Sequence, residues 1–373
     1  MTAAALPDEL ELRSWLRLLL TPGVGRDAAR RLLAAFGSAQ AVFRAGIDAR
    51  SAVVKPDLAR ALAAEPPQLE AAWGQTQAWL QGASNRHLLT LADAAYPNLL
   101  LNTADPPFLL FAQGRLALLN AAGVAVVGSR QPTPAGRENA QRIARELSAN
   151  GVTVVSGLAA GVDGAAHEGA LDGPGGTIAV VGTGLDEVYP PRHAALARRI
   201  GEHGLLLSEF PLGTPPLPQH FPMRNRIIAG VTRATLVVEA ALRSGSLITA
   251  RLAAEAGREV FALPGSVNSA QSRGCHALIK QGATLVEGAQ DILAELQALP
   301  TLRQPAAEPA PAQDAVAESA LLQALGHDPA TLDALLARTG LPVSQLNAQL
   351  LALELAGAVA RLPGGLFQRC GSA

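Results

Sequence analysis

Residues 123–149, GVAVVGSRQPTPAGRENAQRIARELSA, hold the decisive pattern. A short, near-continuous apolar run ends in Gly128-Ser129-Arg130, a Pro-containing turn follows, and Ala135–Ala149 then reads as an amphipathic helix. A strand that is apolar on both faces must be covered on both faces, and crossover helices between parallel strands supply that cover. The same unit recurs as VTVVSG at 152–157, TIAVVGTG at 177–184, LLLSEF at 205–210, TLVVEA at 235–240, EVFALPG at 259–265 and ATLVE at 283–287. Residues 115–299 are therefore expected to form an α/β domain built on a doubly wound, mostly parallel sheet.

On either side of this Rossmann-like domain the texture changes. Residues 1–114 are helical in pattern, with Leu12, Trp15, Leu16 and Leu19 at i, i+3, i+4, i+7 spacing. The turn Leu20-Thr21-Pro22-Gly23-Val24-Gly25, followed by Ala28, Ala29, Leu32 and Leu33, has helix-hairpin-helix (SAM-like) features. Such a hairpin can point its amides at a DNA phosphate without reading sequence, and it can equally be only a tight interhelical turn. Residues 300–317, rich in Pro and Ala, read as a semi-rigid exposed linker. Residues 318–373 then offer three short helices, the third near Ser344–Ala356, and a VARL-PGG-LFQR hairpin, which is the element order of a winged helix. The third helix carries no Lys or Arg over Ser344–Leu355, although phosphate neutralisation anchors a duplex-binding helix. The winged helix is thus expected to contact protein.

Composition narrows the function. The chain has 373 residues, with 30 Lys+Arg against 31 Asp+Glu and a formal charge of −1. Counted by segment, the balance is 0 over 1–114, +1 over 115–299 and −2 over 300–373. No segment is a basic sponge, so bulk charge does not announce a nucleic-acid or membrane partner. Any binding to DNA must rest on a few focused arginines. Cys275 and Cys370 sit far apart without a CxxC or a Cys/His cluster, so neither a disulfide framework nor a metal site is expected. The N-terminus MTAAALPDELELR lacks the basic start and apolar core of a signal peptide, and no run of 18 uninterrupted apolar residues occurs. A cytoplasmic protein without membrane insertion is expected.

In a parallel sheet, ligands gather outside the carboxyl ends of the strands, where loop amides and helix N-termini carry partial positive charge. Gly128 lets the backbone approach an anion, Ser129 offers a hydroxyl and Arg130 a planar donor fork. A single glycine in this turn is not the GxGxxG fingerprint, so NAD or FAD is not expected, nor any other cofactor. The loop Ser156–Asp163 leads to His167, with Asp163 placed to cap the following helix. The densest stretch is His220-Phe221-Pro222-Met223-Arg224-Asn225-Arg226. Two arginines at a helix start oppose the macrodipole, a conflict that an anionic ligand would resolve, and Phe221 beside them can stack on a base. Glu209 and Glu239 each follow a strand and are the candidate bases for an enzyme, yet GxSxG, HExxH and Walker A motifs are all missing.

Taken together these residues resemble the DNA-processing protein A (DprA/Smf) family. The resemblance covers nearly the whole chain and rests on VVGSR at 126–130, SGLAAGVDGAAHEGAL at 156–171, GTGLDEVYPPRH at 182–193, SEFPLGTPPLPQHFPMRNRIIAGV at 208–231, and the block from Glu239 to QSRGCHALIKQGA at 271–283. It implies a non-enzymatic protein that binds and protects single-stranded DNA and loads the RecA recombinase in natural transformation and recombination. It also implies that Gly128, Ser129, Arg130, Phe221, Arg224, Asn225 and Arg226 line the DNA pocket, with Arg192 of the YPPRH turn a further contact. A homodimer through the Rossmann domain is implied, for which the helix faces around Leu247, Ile248, Leu278 and Ile279 are the candidates. Ala160 departs from relatives that carry a basic residue in its loop. From the residues alone, an anion pocket with one aromatic fits a single strand or a mononucleotide equally well. A nucleotide-processing hydrolase using Glu209 or Glu239 is the alternative, and a duplex-binding regulator acting through the winged helix is a third.

Overall fold

One nine-stranded sheet organises residues 86–285. Its strands are β1 (Arg86–Thr90), β2 (Leu109–Gly114), β3 (Gly123–Val127), β4 (Thr153–Ser156), β5 (Thr177–Val180), β6 (Leu205–Ser208), β7 (Ala234–Val237), β8 (Glu259–Ala262) and β9 (Thr284–Leu285). The order is β1-β2-β6-β5-β4-β3-β7-β8-β9. Every neighbouring pair from β6 to β9 is parallel, whereas β1 with β2 and β2 with β6 are antiparallel. The seven apolar runs thus all become strands. The chain moves outward from β3 to β6 and then returns to the other side of β3 for β7 to β9, which makes the β3/β7 boundary the topological switch point.

Residues 9–298 are described throughout by this computed structural model, as are parts of 321–369. Six helices precede the sheet: α1 (Glu9–Leu20), α2 (Arg26–Phe36), α3 (Ala39–Arg44), α4 (Ile47–Ser51), α5 (Pro56–Ala61) and α6 (Leu69–Gln81). α7 (Asn98–Leu101) lies between β1 and β2. The helices that interleave with or follow the later strands are α8 (Pro134–Ala149), α9 (Val162–Ala170), α10 (Ala194–His203), α11 (His220–Gly230), α12 (Ser246–Glu255), α13 (Arg273–Lys280) and α14 (Ala289–Ala298). Thr133 caps α8 by accepting the Gly136 amide, and Pro134 occupies its first turn, where no amide partner is needed.

Alternation along β3 shows how the sheet is covered. Val124 and Val126 enter a core with Ile143, Leu147 and Phe261, while Ala125 and Val127 enter the opposite core with Ile178, Leu205 and Ile227. A third core joins Trp15, Leu16, Leu32, Trp73 and Trp79 of the first helices to Leu88, Phe111 and Leu206 of the sheet. No break in packing falls at 114/115, the boundary expected between helical and Rossmann-like domains. β1 and β2 belong to the sheet, and the described residues divide into one unit within Met1–Leu299 and another within Pro300–Ala373. The hairpin turn between α1 and α2 forms, with Gly23 at φ +80°.

In the second unit, β10 (Ala330–Thr331), β12 (Leu366–Arg369) and β11 (Val359–Leu362) make an antiparallel sheet in that order beside a helix over Leu332–Thr339. Leu346, Leu350 and Leu353, at helical spacing within the expected third helix, are buried with Leu335 and Phe367. This is a winged-helix arrangement. Residues 300–317, read as a linker, and much of 344–356 lie outside the described residues.

One glycine locks two strand-end loops together. Gly161 has φ +85° and ψ −122°, and a Cβ there would stand 2.4 Å from the Ser129 carbonyl oxygen. Gly161→Ala is expected to lower the unfolding free energy by about 2–3 kcal/mol, read from urea denaturation. A change under about 0.5 kcal/mol would show that the loop simply gives way.

Candidate functional site

At the switch point the carboxyl ends of β3 and β7 open a cleft of about 810 Å³. The exit of β3 contributes Gly128, Ser129 and Arg130, the first turns of α11 contribute Phe221, Arg224 and Asn225, and the exit of β7 contributes Arg243 and Ser244–Ser246. Tyr189, from the loop after β5, completes one wall. Six of the eight residues predicted to contact DNA are thus brought together here. Arg192 is exposed on a turn outside this lining, and Arg226 faces elsewhere.

The loops are held by backbone constraints more than by openness toward a ligand. A Cβ on Gly128 would lie 2.8 Å from the Val162 side chain and 2.9 Å from the Glu239 carbonyl, so this glycine serves close packing at the strand end. The Ser129 amide donates to Glu239 O (2.7 Å) and its hydroxyl accepts from the Gln131 amide (3.1 Å). Leu158 takes a left-handed conformation, φ +58°, that a branched side chain rarely adopts. Two histidines hold it there: its amide donates to His167 Nε2 (3.2 Å), and His193 Nδ1 donates to its carbonyl (2.9 Å). His167 Nδ1 in turn donates to Thr177 Oγ1, whose hydroxyl donates to Val154 O. Asp163 sits in the first turn of α9, yet its carboxylate accepts from the Gly157 and Ala159 amides, so it closes the loop ahead of the helix it was expected to cap.

The two arginines of α11 depart from the expectation that both face an anion. Arg224 is buried, with its guanidinium on the carbonyls of Gly157 (2.7 Å) and Val180 and near Asp163. Burial draws it down to about 10, with Asp163 opposing, so it stays charged at neutral pH. A Cβ on Gly157 would stand 2.5 Å from that guanidinium, which explains the glycine. Arg226 pairs with Glu209 and reaches toward Asp105 (3.6 Å), which also pairs with Arg26 (2.6 Å) and Arg30 (2.7 Å) of α2. Protein carbonyls and carboxylates therefore answer the two cations, and the linear sequence, which shows charge but not burial, suggested a ligand instead.

Arg130 and Arg243 are the cleft's exposed cations, and among the described residues neither makes an ion pair. The Arg130 guanidinium stands 5.7 Å from the Phe221 ring centre, and the Tyr189 ring 5.4 Å from it. Asn225 donates weakly to Gly245 O at the start of α12. Both candidate bases are occupied away from the cleft: Glu209 by Arg226, and Glu239 by the Thr133 amide (2.9 Å) and hydroxyl (2.6 Å). Among the described residues no helix is long and apolar enough to cross a membrane, and no group of three or more His, Cys, Asp or Glu could hold a metal ion.

A model of the DNA recombination-mediator protein A family matches residues 87–297, and one of the DprA winged helix domain matches residues 305–365. The chain belongs to this family. Protein Smf of Escherichia coli is 47% identical over 293 residues, covering 77% of this chain and 78% of that protein. The DNA processing protein DprA of Streptococcus pneumoniae is 50% identical over 208 residues, 56% of this chain and 73% of its own length. The X-ray structure of the Streptococcus pneumoniae protein overlays with a TM-score of 0.61 at 39% identity, covering 76% of this chain and 97% of that one. DNA processing protein A from Helicobacter pylori, solved for its single-stranded DNA binding mode, gives 0.52 at 33% identity over 58% of this chain and 98% of that one.

Tyr189 and Arg243 are the aromatic and the charged residue of the cleft that the sequence analysis does not single out, and Ser244–Ser246 line it as well. Each had a signal: a tyrosine after a glycine-rich strand end in a chain with only two tyrosines, and an arginine directly ahead of Ser-Gly-Ser at the exit of β7.

Two stability predictions follow from the anchoring. Arg226→Ala leaves Glu209, 8% exposed, without its partner and is expected to cost about 3–5 kcal/mol in urea unfolding. Adding Glu209→Gln should recover part of it, and a loss below about 1 kcal/mol would refute the pairing as a structural anchor. Burial, aided by His193 and Arg224, draws His167 down to about 3 from its ordinary 6.5. A folded-state value below the unfolded one contributes stability that is complete above about pH 6.5 and lost as pH falls toward 3. The acid-side slope of stability against pH should therefore be shallower in His167→Gln, and an identical slope would remove His167 as its source.

Proposed function

We propose that this chain is a cytoplasmic, non-enzymatic mediator that holds a short run of single-stranded DNA in the switch-point cleft, protects it, and loads a RecA recombinase onto it in natural transformation and recombination. One observation carries the reading: a cleft whose lining holds three arginines, two of them exposed, two aromatic rings and a single carboxylate, Asp163, already committed to loop amides. Cations for phosphates and rings for bases are what a sequence-tolerant single-strand site requires. The single-strand binding described for the Helicobacter pylori relative supports it. So does the engagement of Glu209 and Glu239 away from the cleft, which weighs against a nucleotide hydrolase.

In this reading Arg130 and Arg243, from opposite sides of the switch point, take the phosphates, Ser129 and Asn225 offer polar contacts, and buried Arg224 holds the floor. Leu247, Ile248 and Leu278 line a second groove of about 670 Å³ between α12 and α13, and Ile279, outside that lining, packs against the core with Leu247 and Leu278. These half-buried apolar residues support a homodimer through that face. The acidic balance of residues 300–373 supports a winged helix that meets protein and not duplex DNA.

The test is a titration with labelled oligo-dT across a salt series. Arg130→Ala and Arg243→Ala should each weaken binding and lower the log–log salt slope by about 0.7. Wild-type affinity and slope in both variants would sink the assignment, and release of base or phosphate from nucleotides would favour the enzyme.

A further inference from the structure

Phe221 is the aromatic residue that the sequence singles out, but its surroundings leave it little free face. The Arg130 guanidinium lies 5.7 Å from its centre and the Tyr189 ring 5.4 Å away at 40°. Behind it runs the β5 exit, where a Cβ on Gly182 would stand 3.2 Å from the Phe221 ring. Phe221 is half-buried as a result, whereas Tyr189 is 44% exposed on the same cleft.

We infer that Tyr189 is the ring on which a base of the bound strand stacks, with Phe221 as its backing. The inference rests on the single-strand reading above and refines it. A stacking platform must present a face and must already be fixed, since ordering a loose aromatic loop on binding offsets the contact. The loop carrying Tyr189 meets the second condition. Thr183 Oγ1 donates to Glu187 O (2.7 Å), the Gly184 amide donates to Thr214 O (3.0 Å), and the Asp186 carboxylate accepts from the Gly213 amide (2.8 Å). Beyond it, Pro190 and Pro191 restrict the chain, and the His193 hydrogen bond to Leu158 ties the next turn to the β4 exit. The ring is therefore exposed on a braced loop, with Phe221 filling the space beneath it.

Base–aromatic stacking can be separated from phosphate binding by comparing oligo-dT with an all-abasic oligonucleotide of the same length. Wild type should prefer oligo-dT by roughly 5- to 150-fold for one stacked base. Tyr189→Phe should keep that preference, and Tyr189→Leu, which still covers Phe221, should bring the oligo-dT affinity down to the abasic one. In Tyr189→Trp the new indole is exposed, unlike the buried Trp15, Trp73 and Trp79, so its fluorescence should be quenched by oligo-dT and not by the abasic strand. A preference that survives in Tyr189→Leu, or its absence in wild type, overturns the inference. If Arg130→Ala lowers the salt slope while Tyr189→Leu keeps its preference, the inference alone fails. If wild type binds neither oligonucleotide, the single-strand reading fails with it.

Discussion

The cleft depends on a charge taken out of water. Moving a guanidinium into a protein interior costs several kcal/mol unless its donors are met in good geometry. Arg224 is met by Gly157 O at the β4 exit and Val180 O at the end of β5, with Asp163 of α9 nearby as counter-charge. Those partners come from different crossovers, so one side chain sets the distance between two strand ends and α11. Asp163 is itself buried, and burial pushes its carboxyl up while Arg224 and the Gly157 and Ala159 amides draw it down. Removing either member would leave the other charge stranded. The loop between them has little freedom, which is why Leu158 can be held at φ +58° and why residues 157 and 161 are glycine.

A second charge cluster fixes the same helix from its other side. Arg226 of α11 meets Glu209 at the β6 exit and Asp105, and Asp105 also meets Arg26 and Arg30 of α2. The first helices of the chain are thereby joined to the helix that carries Phe221, and they share a core with β1, β2 and β6 through Trp79, Phe111 and Leu206. With both arginines of α11 committed to protein partners, contact with an anion passes to loop residues. Arg130 and Arg243 sit on flexible stems at loop positions over a rigid floor, the usual division between scaffold and binding residue.

The legible part of this molecule was the part governed by local pattern. Seven apolar runs form β3 to β9, and β3 to β7 are buried at every residue, as a strand covered on both faces requires. β1 and β2, RHLLT and LLFAQG, were absorbed into a helical segment because nothing in their spacing shows that β2 pairs with a strand almost a hundred residues away. The cleft residues at the exit of β3 were legible from position, since a switch-point loop follows from strand order. The arginine roles were not, because Arg130 and Arg224 are the same letter and differ only in burial. Tyr189 has a positional signal, following a glycine-rich strand end, but its role depends on its exposure and its packing against Phe221, which position does not show.

Near-neutrality then becomes informative about how a strand would be held. A protein that neutralises 6–10 phosphates loses on the order of 10³–10⁵ in affinity between low and physiological salt. Two exposed arginines at about 0.7 each give a slope near −1.4, and a fourfold rise in salt would then weaken binding by less than about tenfold. Charge alone therefore contributes little, and segment balances of 0, +1 and −2 hold no large net cationic excess to add to it. For a single strand to stay bound, the larger share must come from its bases. Rings are scarce here, eight Phe, three Trp and two Tyr, and most are sealed in the cores. An exposed, braced ring in the same cleft as two exposed arginines is thus the feature on which binding there would turn.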